Sequence, residues 1–412
     1  KKLAYISGRR NLRVKELSSG KEIDLLTSDD LFTMSDGDQY FTWSPDSKWI
    51  LMDWGKLLSN NEVLLLAADG SKRENLTESG YQDYNPKWVN DGKQMLWFSN
   101  RNGLKSYATS GRTEADVYSM FFTQEAYDKF NMSEEDHKLM KAIEEAQKAE
   151  KDEDKEEDKK DKKDKKDKKE EEIKDLKFDW DGMKERKKRL TTHSSSLSDA
   201  VLSKDGEKIY YLSSFEDKNN LWETNLRTGE TKMSVKLNSR GGSLVWDKKQ
   251  ENLYLLSGGN ISKIDVDKEK SEAIKIAGDM YYDEDAEREK MFDHVYIRTK
   301  NIFYEPTFHG KNWDSLYVQY KKYLPHIGNS YEFAEMLSEM LGELNVSHSG
   351  AGYRNRSNDG DETASLGIFM DYDFEGNGIK IAEVIKGGPL DKAAYDIEPG
   401  MVITAIDGET IE

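Results

Sequence analysis

The chain has 412 residues, 36% hydrophobic and 11% aromatic, which allows two to four domains because single cores rarely grow past ~250 residues. A formal charge of −18 argues against nucleic acid, which needs a basic face, and mildly against an anionic membrane surface. There is no cysteine, so disulfides, zinc–thiolate clusters and thiol catalysis are excluded.

Lys1-Lys2 lead straight into strand-like Leu3–Ile6, with no initiator Met and no signal-peptide pattern, so the chain reads as cut at both ends. Its longest apolar run, Val63 to Ala68, is strand-sized and far short of the ~18 residues of a membrane span. No membrane insertion is expected. The expectation is a soluble protein, with cytoplasm and periplasm both open.

Four segments then share one pattern: an apolar anchor, a tight turn three residues on, and apolar residues at +7 and +9. They are Trp43 with Ile50 and Met52, Trp88 with Met95 and Trp97, Leu202 with Ile209 and Tyr211, and Trp246 with Leu253 and Leu255. The turns read Asp46-Ser47, Asp91-Gly92, Asp205-Gly206 and Lys249-Gln250. Asp-Gly between apolar runs is a hairpin signal, because glycine tolerates the positive φ that the turn demands. Successive anchors lie 45, 114 and 44 residues apart. A strand-rich repeat near 45 residues has the length of a four-stranded propeller blade, and the long middle spacing equals one blade plus an insertion. Glu62–Leu66, Asp116–Phe122, Leu221–Leu226 and Ile261–Val266 supply further strands. A β-sandwich is the alternative, but sandwiches do not repeat in phase.

The insertion runs from about Tyr127 to Trp180. Its middle, Glu150 to Glu172, is almost purely charged; such a segment buries nothing that could offset its ordering entropy. It reads as a solvated loop or fraying helix, with an electrostatic arm for a partner as the functional alternative.

From Gly278 the apolar period changes from 2 to 3.6. Phe292, Val295, Tyr296, Thr299, Ile302 and Phe303 form one stripe; Trp313, Leu316, Tyr317, Tyr320 and Leu324 form a second. Phe333, Met336, Leu337, Met340, Leu341 and Leu344 form a third, whose start is signalled by Asn329-Ser330 with Glu332 placed for a capping box. The stripes predict a small helical bundle. Ser347 and His348 follow the last helix, predicted over Ser330 to Leu344. A histidine there can point into a cleft, and an imidazole's ordinary pKa near ~6.5 suits a general base; an isolated histidine can equally be a cap or surface residue. His309, beside Gly310, reads as a turn or cap residue. None of the other histidines is paired at metal-ligand spacing, and HExxH, GxSxG and phosphate-loop motifs are absent.

After a polar linker (Arg354 to Glu362) strands return. Leu366-Gly367-Ile368 precedes a strand, Gly378–Ile385 is another, Gly387-Gly388-Pro389 is predicted to open a short helix through Ala394, and Pro399-Gly400 leads into Met401–Ile406. This segment resembles a PDZ domain. Backbone N–H groups of the Leu366, Gly367 and Ile368 loop would capture a peptide's C-terminal carboxylate while the peptide adds to the sheet edge.

These parts in this order resemble the tricorn protease family of serine peptidases. Gly310-x-x-Trp313, Tyr317-x-x-Tyr320 and the run Gly342-Glu343-Leu344-Asn345-Val346-Ser347-His348 carry the likeness. The resemblance implies a multidomain, mainly β chain: part of the second, seven-bladed propeller (1–278, with the insertion at about 127–180), a helical domain (279–353), a linker (354–363) and a truncated PDZ domain of α+β type (364–412). It implies that His348 is the general base of a catalytic tetrad and that Ser347 orients it. The nucleophilic serine and a glutamate would come from a C-terminal domain outside this chain. It also implies short peptides as substrates, a homo-oligomer, and no metal or organic cofactor; the fragment alone would be inactive. Two rivals stand beside it. One is a non-catalytic propeller/PDZ peptide-binding scaffold. The other is a prolyl-oligopeptidase-type enzyme, which would need an α/β-hydrolase domain as neighbour.

Overall fold

The computed structural model describes residues 1–32, 39–57, 60–106, 111–143, 146, 175–215, 218–354, 365–392 and 394–411. The charged tract Glu150–Glu172 and most of the predicted linker lie outside the described residues. The chain forms two compact units, 1–281 and 282–412.

The described residues of the first unit form a succession of five antiparallel sheets. β1 (Lys2–Ser7), β2 (Asn11–Glu16) and β3 (Glu22–Leu26) make a three-stranded sheet. The other four have four strands each: β4 (Phe41–Trp43) to β7 (Arg73–Asn75), β8 (Asp83–Val89) to β11 (Lys187–Arg189), β12 (Ser196–Leu202) to β15 (Thr231–Ser239), and β16 (Ser243–Trp246) to β19 (Lys270–Ile274). The sequence repeat is a hairpin register. In each four-stranded sheet the anchor pairs directly with the residue at +7: Trp43 with Ile50, Trp88 with Met95, Leu202 with Ile209 and Trp246 with Leu253.

Successive sheets stack on one another, so the second strands of the three inner sheets are buried on both faces, whereas in the last sheet Leu256 stays exposed. Ile50 and Met52 pack back against Leu12, Val14 and Leu26, whereas Leu51 packs forward against Met95, Trp97 and Met120. Leu96 and Phe98 face Ile209 and Tyr211, and Tyr210 and Leu212 face Leu253 and Leu255. The +7 and +9 residues of the repeat are thus the face turned to the preceding sheet. Two anchor tryptophans also donate backward: Trp88 Nε1 to the Thr42 carbonyl at 3.3 Å and Trp246 Nε1 to the Leu202 carbonyl at 2.7 Å.

The feet of the insertion are ordered. α1 (Gln124–Asn131) is capped by Thr123, and Arg227 gathers the carbonyls of Lys129, Phe130 and Met132 at its end. The returning segment is fixed by Leu176 N–H on Asp46 Oδ2 (2.9 Å) and by Phe178 between Trp49, Phe122 and Trp180.

In the second unit, α2 (Glu284–Ile302), α3 (Trp313–Lys321) and α4 (Ser330–Gly342) enclose a core of Phe292, Trp313, Phe333, Met336, Leu337, Met340 and Leu344. All three predicted stripes contribute to it. Asn329 caps α4 through Tyr331 and Glu332 N–H, while Glu332 reaches back to Gly328 N–H at 2.7 Å. The chain then forms β20 (Ile368–Met370), β21 (Ile379–Val384) and β22 (Val402–Ile403) in one sheet, and a hairpin of β23 (Ala405–Ile406) and β24 (Glu409–Thr410). The helix predicted after Gly387 is instead a set of turns among the described residues. Gly388 N–H bonds the Ile385 carbonyl, Asp391 the Gly388 carbonyl, and Tyr395 the Lys392 carbonyl. So short a stretch, with Gly387 at φ 77° and Asp396 at φ 48°, cannot offset the cost of helix nucleation.

Candidate active-site turn

α4 ends where apolar side chains keep the backbone on the bundle but hydrogen bonding can no longer continue a helix. Leu344 is 2% exposed and Val346 packs on the same core, while Asn345 takes φ 52° and His348 φ 61°. Only glycine visits this left-handed region freely; asparagine and histidine do so more readily than branched residues. The resulting turn exposes both Ser347 and His348.

The backbone around the pair is held at several points. Asn345 N–H bonds the Gly342 carbonyl at 3.0 Å, and Ser349 Oγ donates toward the Val346 and Leu341 carbonyls at 3.1 and 3.4 Å. Ser338 Oγ accepts from Ala351 N–H at 2.8 Å and lies 2.9 Å from its carbonyl. Lys311 pairs with Glu343 at 3.1 Å. The Leu344 carbonyl accepts from His309 Nδ1 at 2.8 Å. By contrast, neither Ser347 Oγ nor the His348 ring has a hydrogen-bond partner among the described residues. The two predicted residues are adjacent on one turn but not bonded to each other. No group of His, Cys, Asp or Glu among the described residues could hold a metal ion.

Sequence reasoning passed over the supporting residues. Ser338 and Ser349 carry no pattern. His309 does occupy the turn expected of it, at φ 53°, but its ring reaches 35 residues along the chain. The available signal was the Gly310-x-x-Trp313 motif itself, which fixes the turn that aims the ring.

The Leu366, Gly367 and Ile368 loop lies at the start of β20. Gly367 has φ 70°, and a Cβ there would stand 2.7 Å from Pro389 Cδ, so the position requires glycine. Its N–H is taken by Ser365 Oγ at 3.1 Å, and Ile368 pairs with Val384. In the first unit a separate cleft of about 280 Å³ is lined by Gln82, Tyr84, Asn100, Lys105, Glu114 and Ser196, among others.

Residues 284–342, the span from the first residue of α2 to the last of α4, match the Tricorn protease C1 domain. The chain is tricorn-like. A putative tricorn-like protease C-terminal subunit of Sulfurisphaera tokodaii is 28% identical over 142 residues, 32% of this chain and 16% of that protein. A tricorn protease homolog of Saccharolobus solfataricus is 30% identical over 108 residues, 24% of this chain and 10% of that protein. The crystal structure of the tricorn protease superposes with a TM-score of 0.60 over 98% of this chain and 38% of its own, at 15% identity. This chain therefore spans well under half the length of the tricorn proteins it matches. Ser347 and His348 follow the end of the C1 match by five and six residues. No helix among the described residues is long and apolar enough to cross a membrane.

Proposed function

We propose that this tricorn-like chain is part of a serine peptidase acting on short peptides, and that His348 is its general base. The observation that carries the reading is an exposed imidazole, unpartnered among the described residues, on a turn whose backbone is pinned on both sides and which directly follows a C1 domain. Holding a base in place before the substrate arrives removes orientational entropy from the reaction barrier. His348 would take the proton of a serine supplied outside the described residues, and would later hand it to the departing amine. Backbone N–H groups would hold the tetrahedral oxyanion. Ser347 would bond and orient the ring once the remaining groups of the site close over it. The first unit would serve as part of a propeller that admits or releases peptides, and the parent protein as a homo-oligomer.

The test is turnover of fluorogenic peptides and labelling by a serine-directed phosphonate, both on the full-length protein. The wild type should turn over and label. His348→Ala should lose turnover with its circular dichroism unchanged, and comparable turnover by that variant would refute the assignment.

A second reading, a peptide-docking scaffold, draws on the segment 365–411 as a partial PDZ domain. Among the described residues β20 is hydrogen-bonded to β21 on one edge only, which leaves the other edge for a peptide strand. A peptide carboxylate would have to displace Ser365 Oγ from the Gly367 N–H. A full-length protein that binds C-terminal peptides yet never labels with the phosphonate would favour this reading.

A further inference from the structure

We infer that His309 is a positioning residue for the base: its ring is a strut that sets where the Ser347–His348 turn stands. The inference rests on the general-base reading of His348. It goes beyond that reading by naming the atom that fixes the base and the tautomer required.

The Leu344 carbonyl can only accept a hydrogen bond, so the His309 Nδ1 that lies 2.8 Å from it must carry a proton. In the neutral ring Nε2 is then bare, and the Tyr304 hydroxyl donates to it at 2.7 Å. Both ring nitrogens are committed, and the Phe303 and Tyr304 rings stand edge-on to the imidazole. The strut's own foot is fixed by Glu305, whose Oε2 accepts the His309 N–H at 3.0 Å and the Thr307 hydroxyl at 2.5 Å. At the far end, Leu344 is buried two residues past the end of α4, and its carbonyl leads into the left-handed Asn345. Three residues separate Leu344 from His348.

The arrangement is a relay of fixed points: Glu305 to the His309 backbone, the His309 ring to the Leu344 carbonyl, and Leu344 to the turn. It is what a catalytic group on a loop needs, because supporting hydrogen bonds must hold the reacting side chain within about half an ångström. A plain helix cap would satisfy the Leu344 carbonyl equally well with any donor. What distinguishes a strut is its dependence on length and on the donating atom.

That dependence supplies the test. An asparagine amide N–H falls near the position of histidine Nδ1 and tolerates positive φ, whereas a glutamine amide falls near Nε2. In the full-length protein, His309→Ala and His309→Gln should lower kcat for a peptide roughly tenfold to a hundredfold with KM little changed. His309→Asn should restore kcat to within about threefold, and Tyr304→Phe should lie between. Independently of catalysis, long-range ¹⁵N–¹H spectra of this chain should show the His309 ring with Nδ1 protonated and Nε2 bare. Wild-type kcat in folded His309→Ala, while His348→Ala is inactive, would overturn the strut and leave the base standing. Activity in His348→Ala would instead remove the base, whatever His309 does. Equal losses in the Asn and Gln variants, or an Nε2-protonated ring, would reduce His309 to a packing residue.

Discussion

The polar groups inside the stacked sheets and those on the Ser347–His348 turn follow opposite rules. Asp83 is fully buried and has its carboxylate saturated: Trp97 Nε1 at 2.8 Å, Arg101 Nη2 at 2.8 and 3.1 Å, and the Ser79 hydroxyl. Asp116, equally buried, takes Arg189, Thr191 and Ser194. On the turn the backbone is bonded at several points, and the two side chains are left open. A buried charge without partners costs several kcal/mol, so the sheets must complete their networks. An exposed imidazole carries no such penalty and can be kept free for a ligand. The difference separates residues that hold the fold from the two residues proposed to carry chemistry.

The largest expected effect tests that separation directly. His348→Ala should lower peptide turnover on the order of 10³-fold, in the range of a lost general base. Its unfolding free energy should stay within about 0.5 kcal/mol of wild type, as for other exposed sites. Kinetics and urea unfolding on the same preparation read both numbers. A large stability loss would mean that the ring has a structural role and would break the contrast from the turn's side.

Asp83→Ala approaches it from the other side. Arg101, with 15% of its side chain exposed, and the Trp97 indole would both lose their acceptor. The expected destabilisation is roughly 3–5 kcal/mol, the usual result of removing one partner of a buried ion pair. Urea midpoints measure it. A loss below 1 kcal/mol would show that water enters and replaces the carboxylate.

How far these two behaviours were legible in the sequence differs in the same way. The hairpin repeat was readable because one face of each second strand recurs at fixed spacing, as with Ile50 and Met52 or Met95 and Trp97. The opposite face, Leu51 or Leu96, breaks strict alternation because each inner sheet is covered on both sides, and the three-stranded first sheet lacks an anchor hairpin among the described residues. The bundle was readable because three helices bury one stripe each. Ser347 and His348 could be picked out from the helix end and the family likeness. Their supports could not: Ser338 and Ser349 bond nearby backbone and His309 reaches a carbonyl 35 residues along the chain, and no periodicity records such bonds. The short helix expected after Gly387 failed because so short a stretch, entered through a left-handed glycine, could not offset the cost of helix nucleation.

Asp53 sharpens the comparison, because it sits among the sheets but lacks a cation partner among the described residues. Its single bond is from Asn85 N–H at 2.7 Å, and burial pushes its carboxyl up to about 7. Tyr84 and Tyr40 are pushed up to about 12, chiefly by burial and then by the Asp53 charge. The unfolded carboxyl titrates near ~3.9, so between about pH 4 and 7 the folded state binds more protons than the unfolded one. Stability from this group is therefore full below pH 4 and falls as pH rises through 7. Asp53→Asn keeps an acceptor for Asn85 and should remove that decline. The gain at pH 8 should be roughly 4 kcal/mol, with little change at pH 4, read as denaturant midpoints across the range. A variant that parallels wild type at every pH would place the titration elsewhere.

The smallest effect concerns Gly367, where backbone rather than charge decides. The Gly367 carbonyl accepts from Ile385 N–H at 2.8 Å, which holds the start of β20 against the chain leaving β21. An alanine Cβ would meet Pro389 Cδ at 2.7 Å and sit at φ 70°, so both sterics and backbone preference oppose it. Gly367→Ala should cost about 1–2 kcal/mol and raise amide exchange in Ile368 and Val384 more than in α4. Hydrogen exchange followed residue by residue is the suitable readout, because it resolves β20–β21 from the helices. Uniform acceleration across the second unit would mean that its strands and its bundle unfold together, and exchange confined to β20 and β21 would mean that the peptide edge can loosen while the turn bearing His348 keeps its place.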